Sequence, residues 1–182
     1  MKPSLHTKEL VRPPAHDTWA PASVDDTREI EELLYVQAAC LDGRQWDRFI
    51  SLFTEDGLYW MPARAEQETH EGQPSIFAED RDMMGLRALR LQDATAWSMA
   101  PRWATSHLVG NVIAFRAASR PDVLFASSRF HVTELRRDAT RSFAGTYRHT
   151  LRRTGEGLRV QLQRVDLLTA EAPFDYVLQA WL

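Results

Sequence analysis

The sequence predicts an α+β fold in which N-terminal helices pack into a strongly curved, mainly antiparallel sheet. Two observations carry this prediction. Hydrophobic residues recur with the period of a helix after residue 29, and with a period of two from Ser106 onward. Helices come first and strands follow in a run, rather than alternating as in a parallel α/β sheet. We expect the helices to cover one face of that sheet.

Residues 29–62 contain two predicted helices and the first strand. Asp25, Asp26 or Thr27 is the expected N-cap, and Gly43 suits the end of the first helix. Its apolar stripe consists of Ile30, Leu33, Leu34, Val36, Ala38 and Leu41. The second helix has a stripe formed by Trp46, Phe49, Ile50, Leu52 and Phe53. An extended segment begins at Gly57 and closes at Pro62.

The chain then passes through two predicted loops and one helix before the main strands. Residues 63–74 are a polar loop, longer than an ordinary connection. Residues 78–92 are predicted to be helical, with Gly85 as an interruption. Residues 93–105 form a second loop that carries Trp97 and Trp103. Two tryptophans in a loop indicate packing on a surface, either of this domain or of another subunit.

Four strands are predicted from the period of two. They cover residues 106–115, 123–135, 142–153 and 158–168, with a glycine-bearing turn at 154–157. In the second of them, one face carries Leu124, Ala126, Ser128, Phe130 and Val132. The other face carries Ser127, Arg129, His131 and Thr133. In the third, Phe143, Gly145, Tyr147, His149 and Leu151 lie together. Residues 175–182 are predicted to add an edge strand.

The domain prediction is an extended arm over residues 1–27 and a single domain over residues 28–182. The arm is rich in proline and has no sustained periodicity. Two interpretations stay open: a free end, or an arm that orders on a partner subunit. The second rests on four apolar residues with nothing local to bury them, namely Leu5, Leu10, Val11 and Trp19.

Charge and composition exclude several classes of function. The net charge is −3 and the pI is about 6.1, which favours neither nucleic-acid binding nor a membrane surface. No apolar run is long enough to span a bilayer. The single cysteine, Cys40, lies in an apolar helix and is predicted to be a core residue. Because one cysteine cannot form an intramolecular disulfide, a reducing cytoplasm is the predicted compartment.

An ordered set of segments resembles one family. The segments are residues 41–62 (LDGRQWDRFISLFTEDGLYWMP), 96–112 (AWSMAPRWATSHLVGNV), the helix around Arg87, residues 130–137 (FHVTELRR), the strand around Gly145 and the hairpin at 151–160. They are similar to small (beta) subunits of aromatic-ring-hydroxylating dioxygenases. The resemblance implies the cystatin-like cone fold of scytalone dehydratase, SnoaL-like cyclases and ketosteroid isomerase. It also implies a structural subunit that assembles with a large alpha subunit, usually in an α3β3 hexamer.

The same resemblance implies that the chain itself holds no cofactor. In such enzymes the alpha subunit carries a Rieske 2Fe–2S cluster and a mononuclear Fe(II), and NADH supplies electrons through a reductase. A Rieske cluster needs two cysteines and two histidines, and this chain has one cysteine. A mononuclear iron site needs converging histidines and a carboxylate. The candidates His107, His131 and His149, with Asp56 or Asp166, lie on separate predicted strands without a ligand spacing.

An acid–base pocket is the alternative from a different class of function. In related cone-fold enzymes, a histidine on the strand that matches residues 105–109 acts as general base, so His107 could work with Tyr35, Asp42 or Asp56. This would give a stand-alone dehydratase or isomerase; a cone that binds a small ligand without chemistry is a third possibility.

Two departures from the family patterns count against the stand-alone enzyme. Isomerases place an aspartate base just before the proline that matches Pro62, and this chain has Met61 there, with Trp60 before it. The bulky pair is predicted to fill the cone. The dehydratase pair of adjacent tyrosine and aspartate is also missing, since Val36 follows Tyr35.

Arginines are concentrated in the sheet half. They are Arg129, Arg136, Arg137, Arg141, Arg148, Arg152, Arg153, Arg159 and Arg164. Either they line a solvated face, or part of that face packs between copies around a threefold axis through ion pairs. The leading hypothesis from the sequence is a non-catalytic structural subunit of an oxygenase for aromatic compounds.

Overall fold

A computed structural model describes residues 19–93, 103–136, 138–171 and 177–182, and it confirms the predicted α+β class. The helices in these ranges are α1 (Val24–Asp42), α2 (Trp46–Ser51) and α3 (Arg81–Gln92). The strands are β1 (Trp19–Pro21), β2 (Phe53–Pro62), β3 (Ser75–Asp80), β4 (Trp103–Ala117), β5 (Val123–Arg136), β6 (Ala139–Thr154) and β7 (Gly157–Leu167).

All of these strands belong to one sheet in the order β1-β4-β5-β6-β7-β2-β3. Neighbouring strands are antiparallel except β2 and β7, which are parallel. Helix α1 contacts both β4 and β7, which are separated by β5 and β6. The helix therefore lies across the sheet, and the sheet curls around it. Helices α2 and α3 pack on each other and on β2, at the other end of the strand order.

The alternation predicted for β5 is confirmed. Its even positions from Leu124 to Val132 are buried, whereas Arg129, His131 and Thr133 are exposed. Because a strand points successive side chains to opposite faces, the even positions form the concave face under α1. Strand β6 continues this face with buried side chains at Phe143, Tyr147, His149 and Leu151.

Gly145 is required in β6 by the close approach of its neighbours. A Cβ atom at this position would lie 2.2 Å from the carbonyl oxygen of Asp166 and 2.8 Å from ring carbons of Phe130. The ring of Phe130 covers the glycine and stacks on Tyr147 with centroids 4.2 Å apart. The absence of a side chain at residue 145 thus lets an aromatic ring lie flat on the sheet.

Helix α1 begins earlier than the sequence predicted. Its N-cap is Ser23, whose hydroxyl oxygen accepts a hydrogen bond of 3.1 Å from the Asp26 amide, and not Asp25, Asp26 or Thr27. The predicted arm boundary at residue 27 falls inside this helix. Trp19 also differs from the prediction, because its ring packs locally on Phe125 with centroids 5.3 Å apart. Residues 1–18 of the arm lie outside the described residues.

Several predicted boundaries between elements are corrected. Residues 78–80 end β3 rather than begin a helix, because the Asp80 side chain caps α3 by accepting from the Met83 amide at 2.9 Å. Phe53 and Trp103, predicted in a helix and a loop, are the first residues of β2 and β4. Residues 177–182 form no strand; they run into the core instead. Trp97 lies outside the described residues.

Trp60 and Met61 lie on opposite faces of β2. Met61 is fully buried in the main core, as predicted for a residue that fills the cone. Trp60 is equally buried but packs with Leu162 in a separate cluster on the other face, which corrects the prediction for this residue. There the Arg164 guanidinium lies 4.6 Å from the Trp60 ring centroid and donates to the Ala65 carbonyl oxygen at 2.8 Å. The predicted loop 63–74 therefore covers this outer part of the sheet.

An ionic cluster ties the beginning of α1 to the sheet. The carboxylate of Asp26 is buried, accepts from the Ser23 hydroxyl at 2.7 Å, and pairs with Arg116 of β4 and with Arg153 of β6 at 3.0 Å. Arg153 also pairs with Glu29 at 2.8 Å. The hydrogen bond with Ser23 lowers the pKa of Asp26. Burial opposes this effect, and the interactions with both arginines add to it.

We predict that Asp26→Asn lowers the free energy of unfolding by about 1–2 kcal/mol at pH 7. Because the pKa of Asp26 is lowered in the folded state, its carboxylate stabilises the fold at pH values above its unfolded pKa, near 3.8. This contribution is lost as the pH falls through the folded pKa. The difference between variant and parent in urea unfolding should therefore shrink below pH 3.8. Glu32→Gln is the control, since its pair with Arg28 is exposed and worth less than about 0.5 kcal/mol. A pH-independent difference at Asp26 would contradict the prediction.

Candidate functional site in the interior of the cone

His107 and Asp42 form the closest approach between predicted site residues. Asp42 is the last residue of α1, and its Oδ1 lies 2.6 Å from His107 Nδ1. The other carboxylate oxygen accepts from the His107 amide at 2.9 Å, and the Thr105 hydroxyl donates to Oδ1 at 2.9 Å. The His107 side chain is 1% exposed. One carboxylate thus joins the end of α1 to three groups of β4.

The electrostatics of this pair favour an ionised Asp42. Burial raises the pKa of Asp42, but the hydrogen bonds from His107 and Thr105 outweigh burial and lower it. An ionised Asp42 holds a proton on Nδ1 of the imidazole, which leaves Nε2 as an acceptor when the ring is neutral. That Nε2 atom is buried and has no hydrogen-bond partner within the described ranges. The pair has the chemical form of an oriented general base.

Tyr35 and Asp56, the other two residues of the alternative catalytic set, do not join His107. Tyr35 is 48% exposed on α1. Asp56 accepts from Gln161 Nε2 at 3.0 Å and lies 3.4 Å from Arg152, where β2 meets β7. Burial raises the pKa of Asp56, but the hydrogen bonds with Thr54 and Gln161 and the positive charge of Arg152 outweigh burial and lower it. Asp56 is therefore a surface ion-pair partner in this structure.

Aromatic side chains fill the end of the cone beside α2. The Trp181 ring is buried, with centroids 5.1 Å from Phe49 and 5.7 Å from Trp46. Tyr59 donates from its hydroxyl to the Leu182 carbonyl oxygen at 3.0 Å and accepts from the Leu182 amide at 3.1 Å. The segment 177–182 thus occupies space that a substrate would need at this end of the cone.

A buried ion pair fixes that segment in place. The Glu79 carboxylate accepts from Arg87 Nε at 2.8 Å and from Trp181 Nε1 at 3.0 Å. Arg87 also donates to the Gln179 carbonyl oxygen at 3.2 Å and stacks over Phe77. This arrangement was not predicted from the sequence. Glu79 and Trp181 are 102 residues apart, and no local pattern connects them.

The histidines considered for a metal site do not converge, because the sheet separates His131 from His107 and His149. His149 is buried on the concave face, whereas His131 is exposed on the convex face of β5. Asp166 pairs with Arg164 at 2.6 Å and Arg148 at 3.0 Å. Within the described ranges, no group of three histidine, cysteine, aspartate or glutamate side chains could hold a metal ion. Burial also raises the pKa of the Cys40 thiol, so this core cysteine is a poor ligand and nucleophile.

Many of the arginines in the sheet half pair within the chain. The two alternatives predicted from the sequence, a solvated face or a face packed between copies, did not include ion pairs within one chain. Their carboxylate partners are Asp26, Glu29, Asp56, Glu156 and Asp166. Arg129 instead donates to the Thr146 hydroxyl at 2.7 Å on the convex face. Arg137 lies outside the described residues.

Similar solved structures identify the class of fold. The chain matches the beta subunit of the benzoate 1,2-dioxygenase from Burkholderia mallei with a TM-score of 0.67 and 21% identity, over 87% of this chain and 99% of that one. A chain of naphthalene 1,2-dioxygenase with indole bound gives a TM-score of 0.70 at 15% identity, over 86% and 83%. An NTF2-like protein from Novosphingobium aromaticivorans with a cystatin-like fold gives 0.57 at 21% identity, over 82% and 86%. The protein therefore has the cystatin-like fold.

Sequence comparison then gives the family. The family model described as the ring hydroxylating beta subunit matches residues 36–172. The chain is 31% identical over 159 residues to the small oxygenase component of the p-cumate 2,3-dioxygenase system of Pseudomonas putida, covering 86% of each chain. It is 29% identical to the biphenyl 2,3-dioxygenase subunit beta of Rhodococcus jostii, over 81% and 84%. The chain belongs to the family of ring hydroxylating beta subunits, which confirms the resemblance found in its sequence.

We predict that Trp181→Ala lowers the free energy of unfolding by about 3–5 kcal/mol. The change removes a fully buried ring and leaves the Glu79 oxygen that it contacts without its donor. Urea unfolding followed by circular dichroism measures the difference. Trp19→Ala is the matched control, because Trp19 is 36% exposed and should cost clearly less. Equal losses for the two variants would mean that segment 177–182 does not hold the interior together.

Proposed function

We propose that this chain is the structural beta subunit of a multicomponent dioxygenase that hydroxylates aromatic rings. Membership of the family over residues 36–172 is the observation that carries the proposal. The large alpha subunit would hold a Rieske 2Fe–2S cluster and a mononuclear Fe(II), and NADH would supply electrons through a reductase. Cys40, the single cysteine of the chain, is buried and cannot anchor such a cluster by itself. The redox chemistry accordingly belongs to the partner subunit.

In this proposal, the chain contributes no catalytic residue. The Asp42–His107 pair binds α1 to β4, and its hydrogen bonds serve the fold. The interior end beside α2 is occupied by Trp181 and its aromatic neighbours. Both features support a subunit whose task is assembly.

The convex face of the sheet offers a surface for self-association. Leu108, Ile113 and Leu168 are 70%, 57% and 80% exposed there. Leu108 and Leu168 border a groove of about 520 Å³ whose lining includes Arg129 and His131 and no acidic residue. Strand β4 bulges between Gly110 and Ile113, which bends the face at this point. Exposed apolar patches of this kind mark protein interfaces.

We assign this face to contact with a second copy of the chain in a trimer within an α3β3 hexamer. A ring of three subunits requires two different surfaces that meet head to tail. The basic groove is one of them. The solvent side of α1 offers the other, where Asp25 is exposed beside the Arg28–Glu32 pair. Opposite charge on the two surfaces would set their register. The single buried cysteine fits a reducing cytoplasm as the site of this assembly.

None of the described helices is long and apolar enough to cross a membrane. Charge offers no basis for a nucleic-acid partner. The partners in this proposal are therefore the large subunit and further copies of the chain.

The oriented Asp42–His107 pair favours a second candidate, a stand-alone dehydratase or isomerase with His107 as general base. In that case, His107→Ala would lower turnover by about 10²–10⁴-fold without any large subunit present. A cone that binds a small ligand without chemistry is the remaining possibility. Turnover of a purified, colourless homo-oligomer would establish the enzyme, and co-purification with an iron–sulfur protein would establish the subunit.

We predict that His107→Ala leaves aromatic hydroxylation per assembled complex within about threefold of the parent. Its cost should appear as a lower melting temperature, because the mutation breaks the contact between α1 and β4. Asp42→Asn is the companion variant and should destabilise in the same way. Complete loss of turnover with assembly and metal content unchanged would contradict the structural role.

We predict that Leu108→Glu prevents self-association of the chain. A charge in the middle of the apolar convex face must be desolvated when a second copy binds. Sedimentation velocity should then detect smaller particles than for the parent. Leu86→Glu is the control, because Leu86 is 61% exposed on α3, away from this face. If Leu86→Glu gave smaller particles and Leu108→Glu sedimented like the parent, the interface would lie on α3 instead.

A further inference from the structure

Helix α3 is apolar on its solvent side as well as on its core side. The core side consists of three buried residues, namely Met84, Ala88 and Leu91. On the solvent side, Met83, Leu86 and Leu89 are 48%, 61% and 67% exposed. A surface helix normally carries polar residues on its outer side, whereas a helix that is apolar all round is covered on every side. The outer side of α3 is therefore uncovered within the part of the chain that the structure describes.

Gly85 is an independent indication of a second chain at this helix. It lies one helical turn before Leu89, beside the exposed apolar residues. Glycine is unfavourable inside a helix relative to alanine, so it needs a reason at such a position. At Gly145 the reason is close contact within the chain, but a Cβ atom at residue 85 would meet no neighbour within 4 Å. A chain that packs closely on the helix from outside supplies the reason at Gly85.

Two charged residues flank the apolar side of α3. Asp82 and Arg90 are exposed, and no ion pair joins either of them to another described side chain. Asp82 lies one turn before Leu86 and Arg90 one turn after it, about 12 Å apart along the helix axis. A partner that complements this side offers a basic group near Asp82 and an acidic group near Arg90.

The C-terminal segment extends the exposed apolar area. Arg87 of α3 donates to the Gln179 carbonyl oxygen at 3.2 Å, which holds residues 177–182 beside the helix. Earlier in that segment, Val177 is 71% exposed. Together, four exposed residues form the α3 surface, namely Met83, Leu86, Leu89 and Val177. Exposed apolar groups that lie together mark protein interfaces.

The position of α3 separates this surface from the contacts proposed between copies. Helix α3 packs on β2 and β3, at the opposite end of the strand order from β4. The proposed ring of copies uses the convex face around Leu108 and the solvent side of α1. Contact of the α3 surface with the same surface of a second copy would be isologous and would give a twofold pair. A hexamer of three large and three small subunits with threefold symmetry contains no such pair, so the large subunit is the partner left for α3.

We propose that the α3 surface is the docking site of the large subunit. The large subunit covers the exposed apolar residues with a segment that packs closely on Gly85. Beside that segment, it presents a basic group to Asp82 and an acidic group to Arg90. Interfaces of permanent complexes are more apolar than those of transient ones, which agrees with the composition of this surface. The inference rests on the proposed function, since it assigns a surface to a partner that the proposed function requires.

The first test compares Leu86→Glu with Leu108→Glu, the same change on the convex face. The probe is the purified large subunit, identified by its iron and acid-labile sulfide, and biolayer interferometry measures its binding to the immobilised full-length chain. Leu86→Glu should raise the dissociation constant at least about 30-fold, because the new carboxylate must be desolvated at the interface. Alone, this variant should sediment like the parent. Leu108→Glu should keep the dissociation constant within about threefold and sediment as smaller particles.

The outcomes separate this inference from the proposed function. If Leu86→Glu bound the large subunit as tightly as the parent, the docking site would be wrong and the proposed function would stand. If the parent chain did not bind the large subunit, both would be wrong. Smaller particles from Leu86→Glu with an unchanged dissociation constant would assign α3 to a second copy and so overturn the inference.

Gly85→Ala is the second test, because it separates the stability of the helix from the fit of the partner. The added methyl group enters open space in the free chain, so the melting temperature of the chain alone should rise by about 1–4 °C. The same methyl group occupies space that the large subunit needs, so the dissociation constant should rise about tenfold. A more stable chain that binds the large subunit as tightly as the parent would rule out the close approach at Gly85, and with it the docking site.

Discussion

The structure depends on two carboxylates that hold α1 against the sheet. Asp26 in the first turn contacts Arg116 and Arg153, and Asp42 in the last turn contacts Thr105 and His107. Both carboxyl groups have a lowered pKa, because the hydrogen bonds and charges they receive outweigh the cost of burial. Apolar burial along the helix is not directional, whereas these contacts join named atoms. They fix where the helix crosses the curled sheet, with β4 as the strand that receives both ends.

The contacts of Asp42 change the interpretation of His107. An imidazole oriented by an aspartate is a common feature of acid–base enzymes, and the same geometry also fastens a helix to a strand. The surroundings separate the two roles. Tyr35 faces solvent and Asp56 belongs to an ion pair with Arg152, so neither of these two predicted groups converges on His107. At the end of the cone beside α2, Trp181 takes the space of a substrate. What the subunit presents to the outside is an apolar convex face suited to assembly.

Local patterns in the sequence predicted much of the fold and less of the site. The alternation in β5 and the buried face of β6 follow from the period of two, and the family follows from segments spread along the chain. Trp60 was assigned to the wrong face, since an apolar residue between Tyr59 and Met61 does not reveal that both faces of β2 are covered. The contact of Glu79 with Arg87 and Trp181 could not be predicted, because it joins residues whose separation leaves no periodic signal. The ion pairs of Arg148, Arg152 and Arg153 depend equally on the register of the strands.

The central claim is that this chain is an assembly subunit whose chemistry lies in a partner. Native mass spectrometry of the chain produced together with its large subunit tests this most directly, with iron and acid-labile sulfide measured on each separated chain. The account predicts one complex with equal numbers of the two chains, and all iron and sulfide on the large one. A chain that stays free of the large subunit while the large subunit is active alone would contradict the account.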